Sequence, residues 1–385
     1  MSFAGRTPFF SRLSPLLRAA VSPDRPPSLE GQPSRRTFLA AAAAGLGVEP
    51  LAGAPRAGAS PDVGIVGAGL AGLAAAYELR KRGIAAAVYE GSARTGGRCW
   101  SMGGTFPGPV QFPGQVVERG GEFIDDLHKT MIGYAREFGL TLEDVNRPSA
   151  ETVYYFQGRH VPESEIAAQF RAFLPAMRAD LRRLSRRPTA DSHTPADAQL
   201  DHLSLAEYLE TRKAAPLIRE VIRQAYIAEY GLEIDRQSCL KFLFAVQADS
   251  DPFGVESDER YHVVEGNEAI VEGLRSRLAS PVQLGMRLTR VKKTAAGRIE
   301  LLFNEGVEVR THDAVILAIP FSTLRQVDLH ASLNLPSWKR AAINSLGYGT
   351  NAKMMVGFTG QPWLGQRSRG SSFSDLAHHQ PTWQP

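Results

Sequence analysis

Apolar residues along this chain change their spacing several times, and each change predicts an element. The unbroken run Asp62-Val63-Gly64-Ile65-Val66 predicts a short buried strand. It leads into Gly67-Ala68-Gly69-Leu70-Ala71-Gly72. There Leu70, Leu73, Ala74 and Tyr77 recur at helical spacing and predict a helix ending near Gly83. A second strand, Ala85 to Tyr89, delivers Glu90, 23 positions after Gly67. Residues 130–250 read as mostly helical. Met131, Tyr134, Ala135 and Phe138 form a stripe that Gly139 ends as a C-terminal cap. Between Glu163 and Arg187 the stripe is Phe170, Phe173, Leu174, Met177, Leu181 and Leu184, with a kink expected at Pro175. The Pro-, Ala-, Asp- and His-rich stretch from Arg187 to His202 reads as a loop. Asn351 to Phe358 reads as a buried strand around Lys353.

At 385 residues the chain is long for one core, so two packed domains are expected. With 43% apolar and 22% charged residues, disorder over the whole length is excluded. A net charge of +4 raises the question of a nucleic-acid partner. The first 54 residues, however, hold six arginines (Arg6, Arg12, Arg18, Arg25, Arg35 and Arg36) against Asp24, Glu30 and Glu49. The remaining body is close to neutral, and no nucleic acid is expected. Arg171, Arg178, Arg182, Arg183 and Arg186 read as a solvated helix face. Cys99 and Cys239 stand far apart with no C-x-x-C, so two buried free thiols are expected. His193, His202 and the pair His378-His379 lack metal-ligand spacing; they read as surface residues and no metal is expected.

Ser34-Arg35-Arg36-Thr37-Phe38-Leu39 precedes an alanine-rich apolar run to Leu51 and the small-residue step Ala52-Gly53-Ala54. That is the layout of a bacterial twin-arginine signal, with the apolar run too short and too weakly hydrophobic for a membrane span. Residues 1–60 are therefore expected to be a leader. It would be read by the twin-arginine export machinery and would send a folded protein to the periplasm or beyond.

The G-x-G-x-x-G turn is a weak signal alone. Here strand, helix, second strand and terminal acid agree, which predicts a dinucleotide site. Gly67 permits the tight turn, Gly69 leaves room for the pyrophosphate, and Gly72 lets helix and strand pack closely. The helix start, including Ala71, offers N–H groups to phosphate, and Glu90 can accept from ribose hydroxyls. Directly afterwards, Arg94-Thr95-Gly96-Gly97-Arg98 supplies a backbone that a ligand can approach and, in Arg98, a fork for phosphate oxygens.

In this position that segment resembles the R-x-G-G-R stretch of flavin-dependent amine oxidases, the family of monoamine, L-amino-acid and polyamine oxidases. Glu118-Arg119-Gly120-Gly121-Glu122-Phe123-Ile124-Asp125 resembles the family's glycine-rich stretch beside the flavin ring, which implies contacts from Gly121, Glu122 and Phe123. Tyr261 to Asn267 resembles the return to the cofactor domain. Leu288-Thr289-Arg290-Val291 resembles the strand whose valine backbone meets adenine. Ala314 to Pro320 is similar to the family's buried strand ending in proline. The resemblance runs from about Asp62 to Trp383, and the order of its motifs is more specific than any one of them. It implies an α/β fold: a Rossmann-like FAD-binding domain (61–143 and 253–320) interleaved with a mainly helical α+β substrate domain (144–252 and 321–385).

The resemblance further implies noncovalent FAD and hydride transfer from a neutral amine or L-amino acid to flavin N5. Imine hydrolysis and peroxide release to molecular oxygen would follow. Lys353 is the expected catalytic residue, in the place of the family lysine that holds a water near N5. A charge within an apolar segment needs a partner or a purpose. Phe123 stands where some L-amino-acid oxidases carry a carboxylate-binding arginine, which favours amines without a carboxylate. Gly370 to Pro385 contains nothing like the family's closing Gly-Glu segment, so the chain is expected to be truncated. A non-catalytic remnant or partner subunit, or a carotenoid- or porphyrinogen-type FAD dehydrogenase, is the alternative. A homodimer is a further expectation. No G-x-S-x-G, H-E-x-x-H or P-loop supports hydrolase or kinase chemistry.

Overall fold

The computed structural model describes residues 60–108, 114–145, 151–186, 188–189, 192–245, 259–366, 368–379 and 381–383. The expected twin-arginine pattern, and the expected leader up to residue 59, lie outside the described residues. The chain begins with β1 (Val63–Val66), α1 (Leu70–Lys81), β2 (Ala86–Tyr89), β3 (Ser101–Gly103), β4 (Val116–Glu118) and α2 (Lys129–Glu137). There follow β5 (Leu142–Asp144), β6 (Glu151–Phe156), β7 (Arg159–His160), α3 (Glu163–Leu181), α4 (Pro195–Asp201) and α5 (Leu205–Thr211). Next come α6 (Pro216–Tyr230), α7 (Cys239–Ala245), β8 (Tyr261–Val263), α8 (Glu268–Arg275), β9 (Leu288–Lys293) and β10 (Ile299–Phe303). The last elements are β11 (Glu308–His312), β12 (Ala314–Leu317), α9 (Phe321–Leu324), β13 (Asp328–Leu329), α10 (Ser337–Ser345) and β14 (Ser368–Ser374). No described helix is long and apolar enough to cross a membrane.

The described residues divide into two compact units, each assembled from separated stretches. One comprises 60–99 and 271–346. Its three-stranded parallel sheet has the order β12-β1-β2, with Val66 level with Tyr89 on one side and Leu317 on the other. Parallel strands need a crossover, and α1 supplies the one from β1 to β2. Its buried face is Gly72, Leu73, Ala76 and Tyr77, while Arg80 and Lys81 sit in the last turn, where the helix dipole favours cations. A second sheet, β11-β10-β9-β13, shares a core with the first through Val66, Tyr89, Leu288, Val291, Leu301, Phe303 and Leu324.

The other unit comprises 100–270 and 347–383. Here α3, α5, α6 and α7 bury Phe170, Phe173, Met177, Tyr208, Leu209, Val221, Tyr226 and Phe242 in one core. The expected stripe on α3 is present. Pro175 lies inside a helix that continues to Leu181, and the five arginines expected on a solvated face are all exposed. Gly139 follows α2 with φ +73°, as its expected cap role requires. Both cysteines are buried thiols outside any disulfide. Among the described residues no group of His, Cys, Asp or Glu forms a metal site.

Four expectations about local structure change. The stretch between Arg187 and His202 contains α4. Thr194-Pro195-Ala196-Asp197 makes a capping box with Pro at the start, satisfying the helix's first N–H groups. Residues 151–160, expected within a helical region, form the hairpin β6–β7. Its Gln157-Gly158 turn has both residues at positive φ, the hand that suits a two-residue hairpin. The segment around Lys353 is not a strand: residues 351–358 take no regular secondary structure, Met354 is 89% exposed, and Val356 and Phe358 also face solvent. An apolar alternation becomes a strand only when its backbone pairs, and the last strand is instead β14, parallel to β6. Finally, β12 is not buried. It is an edge strand with Ala314 and Ile316 exposed, because its outer side has no paired strand among the described residues.

Asp197 shows how the helical unit is held at one corner. The carboxylate is buried, which by itself raises its pKa. Donors from Ser185 (2.6 Å to Oγ, 2.9 Å to N) and Thr194 outweigh that and hold it at about 2. Asp197→Ala is therefore expected to lower unfolding free energy by about 1–3 kcal/mol, through the donors it strands. With a folded pKa below the unfolded 3.8, this contribution is complete above about pH 4 and fades as pH falls towards 2. Denaturant unfolding of both proteins at pH 7 and pH 2.5 should show a gap that narrows in acid.

Candidate functional site

The glycine turn sits at the carboxyl end of β1, the edge of an open parallel sheet at which ligands bind. Each glycine meets a different constraint. Gly67 has φ +102°, and a Cβ there would lie 2.6 Å from Ala318 O. A Cβ on Gly72 would lie 1.9 Å from Gly67 O, so α1 packs against the turn only without a side chain. At Gly69 the protein forbids nothing: φ is −75°, and an added Cβ would meet no atom closer than 3.9 Å. The space it leaves open faces Gly96 and Gly97 and lies over the start of α1, whose cap provides no side-chain hydrogen bond and whose first turn, with exposed Ala71, has no acid. A helix start left uncapped beside an open glycine is what a diphosphate requires.

The second glycine segment is tied to the first. Gly96 N donates to Ala68 O (2.8 Å), and Gly69 bridges to Gly96 in parallel. Arg94 holds this turn, donating to Thr95 O (2.8 Å) and to Gly97 O. Arg98 is exposed, leaving its fork on the surface. Glu90 accepts from Ala68 N (2.8 Å) and Ser92 N (2.9 Å), which locks its carboxylate to the turn and leaves lone pairs for hydroxyl donors. Behind it, Tyr89 OH lies 3.0 Å from His312 Nε2, and His312 Nδ1 lies 2.8 Å from Asp62. Burial pushes the Tyr89 phenol up, Arg310 opposes that and Asp62 adds to it.

Val291 takes a different place from the expected one. Its side chain is buried, its carbonyl accepts His330 N (3.0 Å), and it is level with Leu301 and Leu329 on its two sides. The backbone alongside Glu90 is that of Gln283 to Met286: Glu90 N donates to Gln283 O (2.9 Å) and Met286 N to Glu90 O (2.8 Å). Leu288 is the first strand residue beyond it. Sequence reading missed this segment because its contacts are made by main chain, which leaves no side-chain signature.

In the other unit, Lys353 Nζ donates to Glu118 O (3.0 Å), Gly120 O (3.1 Å) and Glu122 Oε2 (2.6 Å). Three N–H groups meet three acceptors. Trp383 Nε1 donates to the same Glu122 oxygen (3.0 Å), and the Lys353 ammonium lies 5.8 Å from the Trp383 ring centre. Gly121 is exposed, and Glu122 and Phe123 are partly buried. The lysine segment is anchored by Thr350 N to Gly231 O (3.1 Å) and Asn351 Nδ2 to Ala228 O (2.7 Å), at the end of α6. The sequence pointed to Lys353 and to Glu122, but not to their pairing.

The profile of the flavin-containing amine oxidoreductases matches residues 70–384. The chain belongs to this family. Membership implies a flavin cofactor. A relative named lysine-specific histone demethylase 1 homolog 2, from Arabidopsis thaliana, is 28% identical over 330 residues, covering 83% of this chain and 41% of its own length. Pseudooxynicotine dehydrogenase from a Pseudomonas species is 25% identical over 350 residues, covering 84% of this chain and 68% of that protein. The chain thus spans well under half of the plant relative. Among solved structures, putrescine oxidase bound to putrescine superposes with a TM-score of 0.64 at 21% identity, covering 84% of this chain and 72% of that one. Cyclohexylamine oxidase from Brevibacterium oxydans IH-35A gives 0.63 at 17% identity, covering 82% and 70%. These likenesses establish the shared α/β fold of the amine oxidoreductases.

The glycines of this family member separate by experiment. Gly69→Ala should change folding stability by no more than about 1 kcal/mol yet weaken flavin nucleotide binding at least about tenfold. Gly72→Ala should destabilise the fold itself by about 1–3 kcal/mol. Thermal unfolding and flavin fluorescence quenching, measured on the same samples, give both readings.

Proposed function

We propose that this chain is an FAD-dependent oxidase of amines or L-amino acids, with FAD held noncovalently. Lys353 carries the reading: a lysine tied to Glu122 and to the carbonyls of a glycine-rich turn, in a member of an amine oxidoreductase family.

Gly67, Gly69, Ala71 and Gly72 would hold the diphosphate through backbone N–H groups and the start of α1, and Glu90 would accept from the ribose hydroxyls. Gly97 gives the ligand backbone access, and Arg98 offers its guanidinium to phosphate oxygens. Gly121, Glu122 and Phe123 belong beside the flavin ring. Val291 contributes its buried side chain to the sheet, and backbone contacts to the adenine would fall to the segment from Gln283 to Met286. When bound, the flavin supplies a two-electron acceptor for amine oxidation, with molecular oxygen as the final acceptor.

Lys353 holds a positive charge at a fixed point. With all three N–H groups engaged, it can hold a water only by releasing one acceptor. Glu122 is the one acceptor that is a side chain, and Trp383 would still hold its carboxylate when the lysine lets go. Phe123 in place of a carboxylate-binding arginine favours amines without a carboxylate. Export by the twin-arginine machinery is part of the proposal and rests on Ser34 to Leu39.

The purified chain loaded with FAD should bleach anaerobically with one or more of a panel of amines and L-amino acids, and air should restore its colour with release of peroxide. Lys353→Met should keep FAD bound and slow bleaching about 100-fold. A flavin-loaded chain unbleached by the whole panel would contradict the reading.

A further inference from the structure

The buried polar cluster behind Lys353 belongs to none of the roles above. Glu118 is 3% exposed and His262 8%. Ser101 Oγ donates to the Glu118 carboxylate at 2.9 Å, Asn267 N at 2.8 Å, and His262 Nε2 lies 3.2 Å from the same group. Ser101 and Glu268 add a reciprocal pair, Ser101 N to Glu268 Oε2 (2.9 Å) and Glu268 N to Ser101 Oγ (3.0 Å). Asn267 then reaches over the turn: its Nδ2 donates to Gly121 O (3.1 Å) and Glu122 O (2.6 Å), while its Oδ1 accepts from Val263 N (3.1 Å).

The consequence lies in the main chain. Between Glu118 and Glu122, the carbonyls of Gly121 and Glu122 are taken by Asn267, and those of Glu118 and Gly120 turn to Lys353. Glu118 is bound at both ends: its side chain is held by the cluster and its carbonyl holds the lysine. A buried carboxylate is costly unless fully satisfied, and apolar residues of similar volume would pack such a site at no loss of stability. Apolar packing would not fix the direction of the carbonyls, which the cluster does.

We infer that Glu118 and His262 are positioning residues that aim the Glu118 and Gly120 carbonyls at Lys353. The inference deepens the proposed role of Lys353 and rests on it. Its test reads Lys353 directly, by the rate at which acetic anhydride modifies each lysine of the full chain, followed by mass spectrometry, with Lys81 and Lys241 as internal references. In His262→Leu and Glu118→Gln, Lys353 should be acetylated about tenfold faster relative to the references. His262→Gln, whose amide can still donate to Glu118, should return to within about threefold of the parent. With an amine that is oxidised, kcat should fall in His262→Leu while KM holds. If His262→Leu does not fold, Ser101→Ala removes a single donor and carries the same comparison. An unchanged Lys353 ratio in the folded variants, or no rescue by His262→Gln, overturns the inference. If no amine is oxidised, the acetylation ratio still decides, so failure of the oxidase reading and failure of this one are distinguishable.

Discussion

The close approach of α1 to the turn that follows β1 is the constraint on which the unit of residues 60–99 and 271–346 depends. A Cβ at Gly72 would lie 1.9 Å from the Gly67 carbonyl, so helix and turn meet only because no side chain stands between them. That approach brings the start of the helix to the end of a parallel strand, where its free N–H groups and partial positive charge gather. Glu90 and the Gly96–Gly97 turn then fasten to the same turn through Ala68. One steric allowance thus sets the place of the glycine turns and of Glu90, which are proposed to touch the diphosphate and ribose.

Lys353 stands on a different physical footing. Its segment gains nothing from strand pairing and little from burial, with Met354, Val356 and Phe358 exposed. What holds the lysine is polar: a carboxylate and two carbonyls in front, and a buried carboxylate cluster behind those carbonyls. A charge-assisted contact of this kind fixes direction as well as distance. That suits a residue whose proposed work is to hold a positive charge, and a water, at a fixed point.

Much of the fold was legible in the sequence where side-chain type and spacing carry the information. The strand, turn, helix and acid from Asp62 to Glu90 could be read because three glycines at fixed offsets are the spacing of a dinucleotide turn, and two of them, Gly67 and Gly72, meet steric demands of the fold itself. The stripes on α2 and α3 could be read because helical burial repeats. The rest was decided elsewhere. Val291 looked like a ligand contact, but its carbonyl goes to His330, and pairing between distant strands cannot be read from local spacing. Lys353 was found for its chemistry within a segment whose alternation mimics a strand, and its acceptors are largely main-chain carbonyls that any sequence would supply. The hairpin at Gln157-Gly158 and the capping box at Thr194 and Asp197 left signals, each only a few residues long amid helical and loop-like neighbours.

The central claim is that the turn from Gly67 to Gly72, with Glu90, grips the adenosine diphosphate half of a flavin. Titrating flavin-free protein with FAD while following flavin fluorescence, then adding ADP or FMN as competitor, tests it most directly. Saturable quenching at one FAD per chain is expected, with ADP displacing the FAD and FMN doing so poorly. Absence of saturable quenching, or displacement by FMN as readily as by ADP, would contradict it.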